Sequence, residues 1–259
     1  YWTERVSRTG PGLSGALDDN LEVWLHDWKA VQKDTDIYLK ARSGEMEIDL
    51  ILIPRKPPVR HGENGLSLKG PGPGQASWYY SMTDLDTKGT IRLPGRKDMQ
   101  IKGRSWFDHE FGSNQLRDYQ VGWDWFSVQL DNQIELMLYI IRHKDGKPDP
   151  TSSGTLVYPD GRTEHLALES FGIDALESWK SKKSNITYPS GWLIRVPTKQ
   201  LDLRLMPTVK DQELTTRKST LVNYWEGSVR VKGKVKGKDV EGRGYVELTG
   251  YDAQFRPDI

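Results

Sequence analysis

The chain has no cysteine, almost no helical periodicity and no long apolar run, and each absence removes a class of protein. Without cysteine there is no disulfide, no thiolate catalysis and no Cys-based zinc site. A Cys-free chain suits cytosol and periplasm alike, so compartment stays open on this ground. No apolar run approaches the roughly 20 residues of a membrane-spanning helix. An excess of one charge is missing too. The 37 basic and 36 acidic residues leave a formal net charge of +1, which argues for neither nucleic acid nor an anionic membrane surface as partner. The basic run Lys232 to Lys238 alternates with Val and Gly and reads as a solvated hairpin.

Several catalytic and cofactor signatures are also lacking. Gly70-Pro71-Gly72-Pro73-Gly74 has no following Lys-Ser/Thr, and its prolines remove the N–H groups that would cradle a phosphate. It reads as a rigid surface crossing that delivers Gln75 and the strand beyond it. No Gly-x-Ser-x-Gly elbow occurs. Asp108-His109-Glu110 are adjacent, not spaced i, i+4 as on a helical zinc site. The other histidines, His26, His61, His143 and His165, show no matching spacing. No metal and no cofactor are expected.

What is present is aromatic and extended. Ten Trp and eleven Tyr stand against five Phe in 259 residues, a length that holds one large all-β domain or two ordinary ones. Indole and phenol rings carry an apolar body and one polar handle. They suit barrel cores, and equally the wall of a pocket for a mainly apolar ligand with a polar end. Strand signals of roughly 5–10 residues dominate. Glu47 to Ile53 alternates Ile48, Leu50 and Leu52, and Pro57 to Pro73 reads as a long loop. Ser77 to Met82 is an aromatic strand, and Asp98 to Phe107 leads to the acidic cluster. Val121 to Leu130 puts Val121, Trp123 and Trp125 on one face, and Asp124, Phe126 and Val128 on the other. Ile134 to Arg142 is apolar on both faces, as in a sheet held between two layers such as a domain interface. The best helical candidate, Asp174 to Lys183, is short and lacks an apolar stripe. From Val121 onward about eight strands are expected, enough for one up-and-down barrel. Only about five precede residue ~117.

The sharpest polar cluster is Trp106-Phe107-Asp108-His109-Glu110-Phe111. In an extended chain Asp108 and Glu110 share a face, and His109 turns the other way with Phe107 and Phe111. A histidine among aromatics near carboxylates is a candidate general acid or base. Aromatic faces such as Trp123 and Trp125 stabilise a developing cation. Nearer the C-terminus, a buried Glu226 beside Trp225 needs a partner, and Arg243 or Arg230 are the candidates.

Taken in order, several strings resemble the AttH-like relatives of the carotenoid 1,2-hydratases. They are Lys69-Gly70-Pro71 through Gln75-Ala76-Ser77-Trp78-Tyr79-Tyr80-Ser81, and Gly103-Arg104-Ser105-Trp106-Phe107-Asp108-His109-Glu110. Val121-Gly122-Trp123-Asp124-Trp125, Asp211-Gln212-Glu213-Leu214, Tyr224-Trp225-Glu226-Gly227 and Gly244 to Tyr251 follow. The resemblance implies an all-β fold of two tandem lipocalin-like antiparallel barrels, with domains at 1–116 and 117–259. It also implies a link to lipid or isoprenoid metabolism, and export to the periplasm or beyond. The family's usual Glu-Trp-Trp-Tyr opening is not found and the chain starts at Tyr1 without Met or a signal peptide, so the first barrel is expected to lack its N-terminal strands. The hydratases act without a cofactor. Their Asp-His-x-Trp-like motif is matched by Asp108, His109 and Phe111, and their later Tyr by Tyr139. Their Asp two residues on is here Ile141, which cannot protonate an alkene.

Two functions are therefore weighed. The first is a lipocalin-like binder of a hydrophobic lipid or isoprenoid, with Gln75, Trp78, Tyr80, Trp106, Glu110, Phe111, Trp123, Asp124 and Trp125 at the ligand. The second is a cofactor-free hydratase or isomerase using Asp108, His109 and Tyr139. A third reading, an accessory subunit of an exporter, has no specific residues behind it.

Overall fold

The structure, a computed structural model, describes residues 5–10, 12–112, 116–216 and 219–252. Among the described residues there is no α-helix, only strands and two single 3-10 turns. The strands form two curled antiparallel sheets. The first contains β1 (Ser14–Ala16), β2 (Glu22–Leu25), β3 (Trp28–Lys33), β4 (Asp36–Ser43), β5 (Met46–Pro54), β6 (Val59–Arg60), β7 (Leu66–Leu68), β8 (Ala76–Arg92) and β9 (Met99–Phe111). Its order is β1-β2-β3-β4-β5-β8-β6, with β7 and β9 also paired to β8.

The second sheet contains β10 (Gln120–Leu130), β11 (Glu135–His143), β12 (Ser153–Val157), β13 (Thr163–Ala167), β14 (Gly172–Lys180), β15 (Thr187–Val196), β16 (Leu201–Pro207), β17 (Glu213–Thr215), β18 (Asn223–Val235) and β19 (Lys238–Leu248). Its order is β13-β12-β11-β10-β19-β18-β16-β15-β14, with β17 on β18. Its first and last strands, β10 and β19, pair with each other. The sheet thus curls around one core, and its free edges are β13 and β14. The β18–β19 connection turns at Lys236-Gly237, both at positive φ. Lys232 and Lys234 point outward there and pair with Glu241 and Asp239, as a solvated hairpin should.

Packing divides the chain into two compact units. One is Tyr1–Pro58 with Met82–Phe107, and the other is Val59–Ser81 with Asp108–Ile259. The first has a small core of Ile37, Leu52, Met82 and Leu85, flanked by Leu21, Leu39, Leu50 and Phe107. The second has a large one in which Trp192 packs against Phe126 and Trp225, ring centroids 5.7 and 5.6 Å apart. Both Trp192 and Trp225 are fully buried.

Three expectations need correction. The first sheet has nine strands, not about five, because β1, β2, β6 and β7 are only two to four residues long and too short to show alternation. The Pro57 to Pro73 stretch is not a plain loop. It holds β6 and β7 around a turn at Gly62, whose φ of 64° brings it so close to the Leu66 carbonyl that a Cβ would lie 2.1 Å from that oxygen. The helical candidate Asp174 to Lys183 is instead mostly strand β14, paired along its length with β15. Its Ile173, Ala175 and Trp179 keep period two, and Trp179 stacks on Tyr188.

Candidate functional site

The two faces of β10 are chemically different. Phe126, Val128 and Leu130 enter the barrel core. Trp123 and Trp125 lie on the opposite face, in phase after a bulge at Gly122, whose φ is 145° and whose missing Cβ leaves room for the Thr249 carbonyl. Register continues that second face across five strands, through Ser153, Tyr139, Trp125, Glu247 and Glu226 in one row. β11 is buried on both sides as expected, Leu136 and Leu138 facing the core and Met137, Tyr139 and Ile141 the other way. The second layer is Val59–Ser81, part of the same compact unit.

That covering segment is tied down by hydrogen bonds. The Trp125 indole donates to the Tyr79 hydroxyl at 2.9 Å, and Gln120 donates to the Lys69 carbonyl at 2.7 Å. Ser67 and Ser153 lie 3.1 and 3.0 Å from the Tyr139 hydroxyl, which also approaches the carbonyls of Leu68 and Thr151. Beneath the cover is a cleft of about 70 Å³, open on one side, lined by Lys69, Tyr79, Glu110, Leu116, Trp123, Trp125, Tyr139 and Ile141.

Its polar groups are few and ordered. The Lys69 ammonium, 11% exposed, is 2.7 Å from Glu110 and sits over the Tyr139 ring at 4.2 Å, a cation–π contact. Glu110 also accepts from Ser77 at 2.5 Å. Behind Tyr79, Asp108 accepts the Tyr79 hydroxyl at 2.9 Å and the Ser81 hydroxyl on the same oxygen. Because Ser81 gives its proton to Asp108, it accepts from His61 Nε2–H at 2.7 Å. His61 Nδ1 then accepts from Thr155 at 2.8 Å. The network fixes a neutral His61, and burial, aided by Lys69, holds its pKa down to about 3. Burial pushes the Tyr79 hydroxyl well up, reinforced by Asp108 and Glu110.

On the sheet side, the Trp123 indole donates to Glu247 at 2.7 Å. Burial, with the charge of Glu226 opposite it, pushes the Glu247 carboxyl up to about 7. Glu226 itself is raised by burial. The expected arginine partners of Glu226 are elsewhere: Arg230 and Arg243 face each other four residues further along each strand.

The structure brings together Glu110, Trp123, Trp125 and the Tyr139 ring at the cleft, with Asp108 one hydrogen bond behind. The other residues expected at the site lie elsewhere. His109 is on the opposite face of β9 from Asp108 and Glu110, exposed, between Tyr80 and Phe111. Trp78 and Phe111 are 52% and 49% exposed. Gln75 closes the Gly/Pro crossing by accepting from the Gly72 N–H. Asp124 is on the core side of β10, paired with Arg142 and hydrogen-bonded by Tyr251, and Trp106 belongs to the first unit. Sequence reasoning missed Lys69, Tyr79, His61, Ser81 and Glu247. For three β8 positions the signal was present: Ser77, Tyr79 and Ser81 are the polar, small-flanked phase, whereas ring size drew attention to Trp78 and Tyr80.

Two curled antiparallel sheets, with an aromatic cleft beside the second, define a protein of tandem lipocalin-like architecture. Within that class the chain belongs to the AttH-like family, whose model matches residues 1–251. It is similar to the crystal structure of an AttH from Nitrosomonas europaea, with TM-score 0.81 and 33% identity over 89% of this chain and 70% of that one. Kievitone hydratase from Nectria haematococca shares the fold at TM-score 0.74 and 19% identity, over 89% and 71% of the two chains. CghA, solved with Sch210972, is a more distant fold likeness at TM-score 0.55 and 12% identity, over 92% and 72%. No curated protein matches the chain. No described helix is long and apolar enough to cross a membrane.

Proposed function

We propose that the chain binds a mainly apolar small molecule, lipid or isoprenoid in type, in the cleft beneath Val59–Ser81. The observation that carries this is the wall itself: six aromatic or aliphatic side chains around a single Lys69–Glu110 ion pair. Its enclosed volume of about 70 Å³ is below the ~300–1,000 Å³ of small-molecule sites, so the ligand's chain extends out through the open side. Burying apolar ligand area at about 25 cal/mol per Å² supports micromolar binding after association costs. Native mass spectrometry with lipid extraction tests it. A discrete co-purifying lipid or isoprenoid is the expected result. An empty protein that also fails to bind the neutral probe 1-aminoanthracene sinks the reading. Export to the periplasm or beyond is part of the proposal, checked by fractionating cells that express the full gene.

A second reading, a cofactor-free hydratase, is favoured by one pair of groups. Ile141 removes the acid expected from the hydratase pattern. Yet Asp108, accepting from Tyr79, is a candidate base, and Glu247, with its carboxyl near 7, is a candidate acid beside Trp123. The relative from Nectria is a hydratase by name, which adds weight to testing it. Geraniol turnover in heavy water would place deuterium in the product. No incorporation, or a rate untouched by Glu247→Gln, rejects the mechanism.

A further inference from the structure

We propose that the cleft selects its ligand by charge: it takes uncharged or cationic polar ends, such as alcohols and amines, and rejects carboxylates. This rests on the reading of the cleft as an apolar-ligand site and adds the sign of its field. Among the described lining residues Lys69 is the one cation, and it is already neutralised by Glu110 at 2.7 Å and covered by the Tyr139 ring. An incoming carboxylate would have to displace Glu110, leaving that half-buried carboxylate without its ion pair beside a new negative charge.

Three more carboxyls surround the same space. Asp108 lies one hydrogen bond behind Tyr79, and Glu247 one behind Trp123. Glu226 stands directly opposite Glu247 on the same sheet face. Even with Asp108 left aside, the three carboxyls of Glu110, Glu226 and Glu247 against one ammonium leave the site negative when Glu226 and Glu247 share a proton. The indole rings of Trp123 and Trp125 also line the cleft, and an aromatic quadrupole favours a cation and disfavours an anion at the ring face. Arg230 and Arg243 do not offset this. Each is four residues from the Glu pair along an extended strand, about 13 Å at 3.3 Å per residue, and exposed, so salt screens it. At an effective dielectric of about 20, one uncompensated negative charge within the cleft weakens a carboxylate at least about tenfold.

Displacement of 1-aminoanthracene from the full chain at pH 8 by 1-decanol, decylamine and decanoate tests the idea. Decanol and decylamine are expected to displace the probe, and decanoate to bind at least tenfold more weakly than decanol. Glu226→Gln is expected to shrink that gap at least threefold, and so is raising the salt from 0.05 to 0.5 M with the unaltered protein. Decanoate equal to or tighter than decanol, or a gap that neither salt nor Glu226→Gln moves, overturns the charge selection while leaving the cleft as a binding site. If the probe and all three decyl compounds fail to bind, the binding site itself is wrong and the selection falls with it.

Discussion

The two faces of the second sheet are made by the same strands and behave as different materials. On one face Phe126, Leu138, Trp192, Trp225 and Val246 interdigitate, and the polar contact among them is the Trp225 indole donating to the Lys210 carbonyl at 2.9 Å. On the other, one residue along, Trp123, Trp125 and Tyr139 each commit a polar atom to a named partner. These interdigitated side chains stabilise by apolar burial, which is nearly independent of pH, and the ionisable groups of that side, Asp124 with Arg142 and Tyr251, are paired with one another. The second encloses polar and ionisable groups, so its contribution depends on their protonation. Stability resides mainly in the first and chemistry in the second.

The sharpest way to break the comparison is to truncate a core ring. Trp225→Ala should cost about 3–5 kcal/mol, read as a lower urea midpoint, and the loss should be the same at pH 5 and pH 8. A loss that varied with pH would mean that the core face is not electrostatically quiet.

On the cleft side the effects should be pH-dependent, with opposite signs at two residues. His61 is held neutral down to about pH 3, against an ordinary value of 6.5. The unfolded chain therefore binds the extra proton, and stability is lost as pH falls from 6.5 toward 3. At about 1.4 kcal/mol per pKa unit the cost is on the order of 5 kcal/mol at the acid end. His61→Gln also removes hydrogen bonds at every pH, but its deficit against the parent should shrink by that order between pH 6.5 and 3.5. Glu247 is the reverse case. Its carboxyl sits at about 7 against 4.5, so the folded chain holds the proton longer and stability falls as pH rises from 4.5 through 7. Glu247→Gln should therefore gain about 3 kcal/mol over the parent at pH 8 and nothing at pH 4. Urea titrations at the two pH values decide both, and a pH-flat difference for either variant contradicts the burial described for it.

The smallest effect is expected at Tyr79. Tyr79→Phe deletes the hydroxyl between Trp125 and Asp108 while keeping the ring. A loss of about 1–2 kcal/mol follows. The indole emission of Trp125 should shift as its N–H loses its acceptor, and an unmoved spectrum would argue against that contact.

Much of this was legible in the residues. Alternation placed Trp123 and Trp125 opposite Phe126 and Val128, made β11 apolar on both faces, and put Asp108 and Glu110 on the side away from His109. The same alternation was available in β8, where Ser77, Tyr79 and Ser81 turn inward and Trp78 and Tyr80 outward. Aromatic bulk was the wrong guide there, because a large ring on a covering strand can sit in solvent when the hydroxyl phase has partners beneath it. Short strands such as β6 and β7 could not be read at all, since two or three residues carry no period.

By itself, then, the sequence determined the antiparallel all-β architecture, the phase of its long strands and the absence of thiol chemistry. These are local properties, set by side-chain period and composition. Tertiary structure alone decided that Val59–Ser81 folds over the outer face of β10 and β11. It also decided which tautomer His61 adopts, and that Glu247 faces Glu226 instead of an arginine. Each depends on a partner far along the chain, as His61 depends on Thr155 94 residues away. Burial and hydrogen bonding at that separation leave no local period to read.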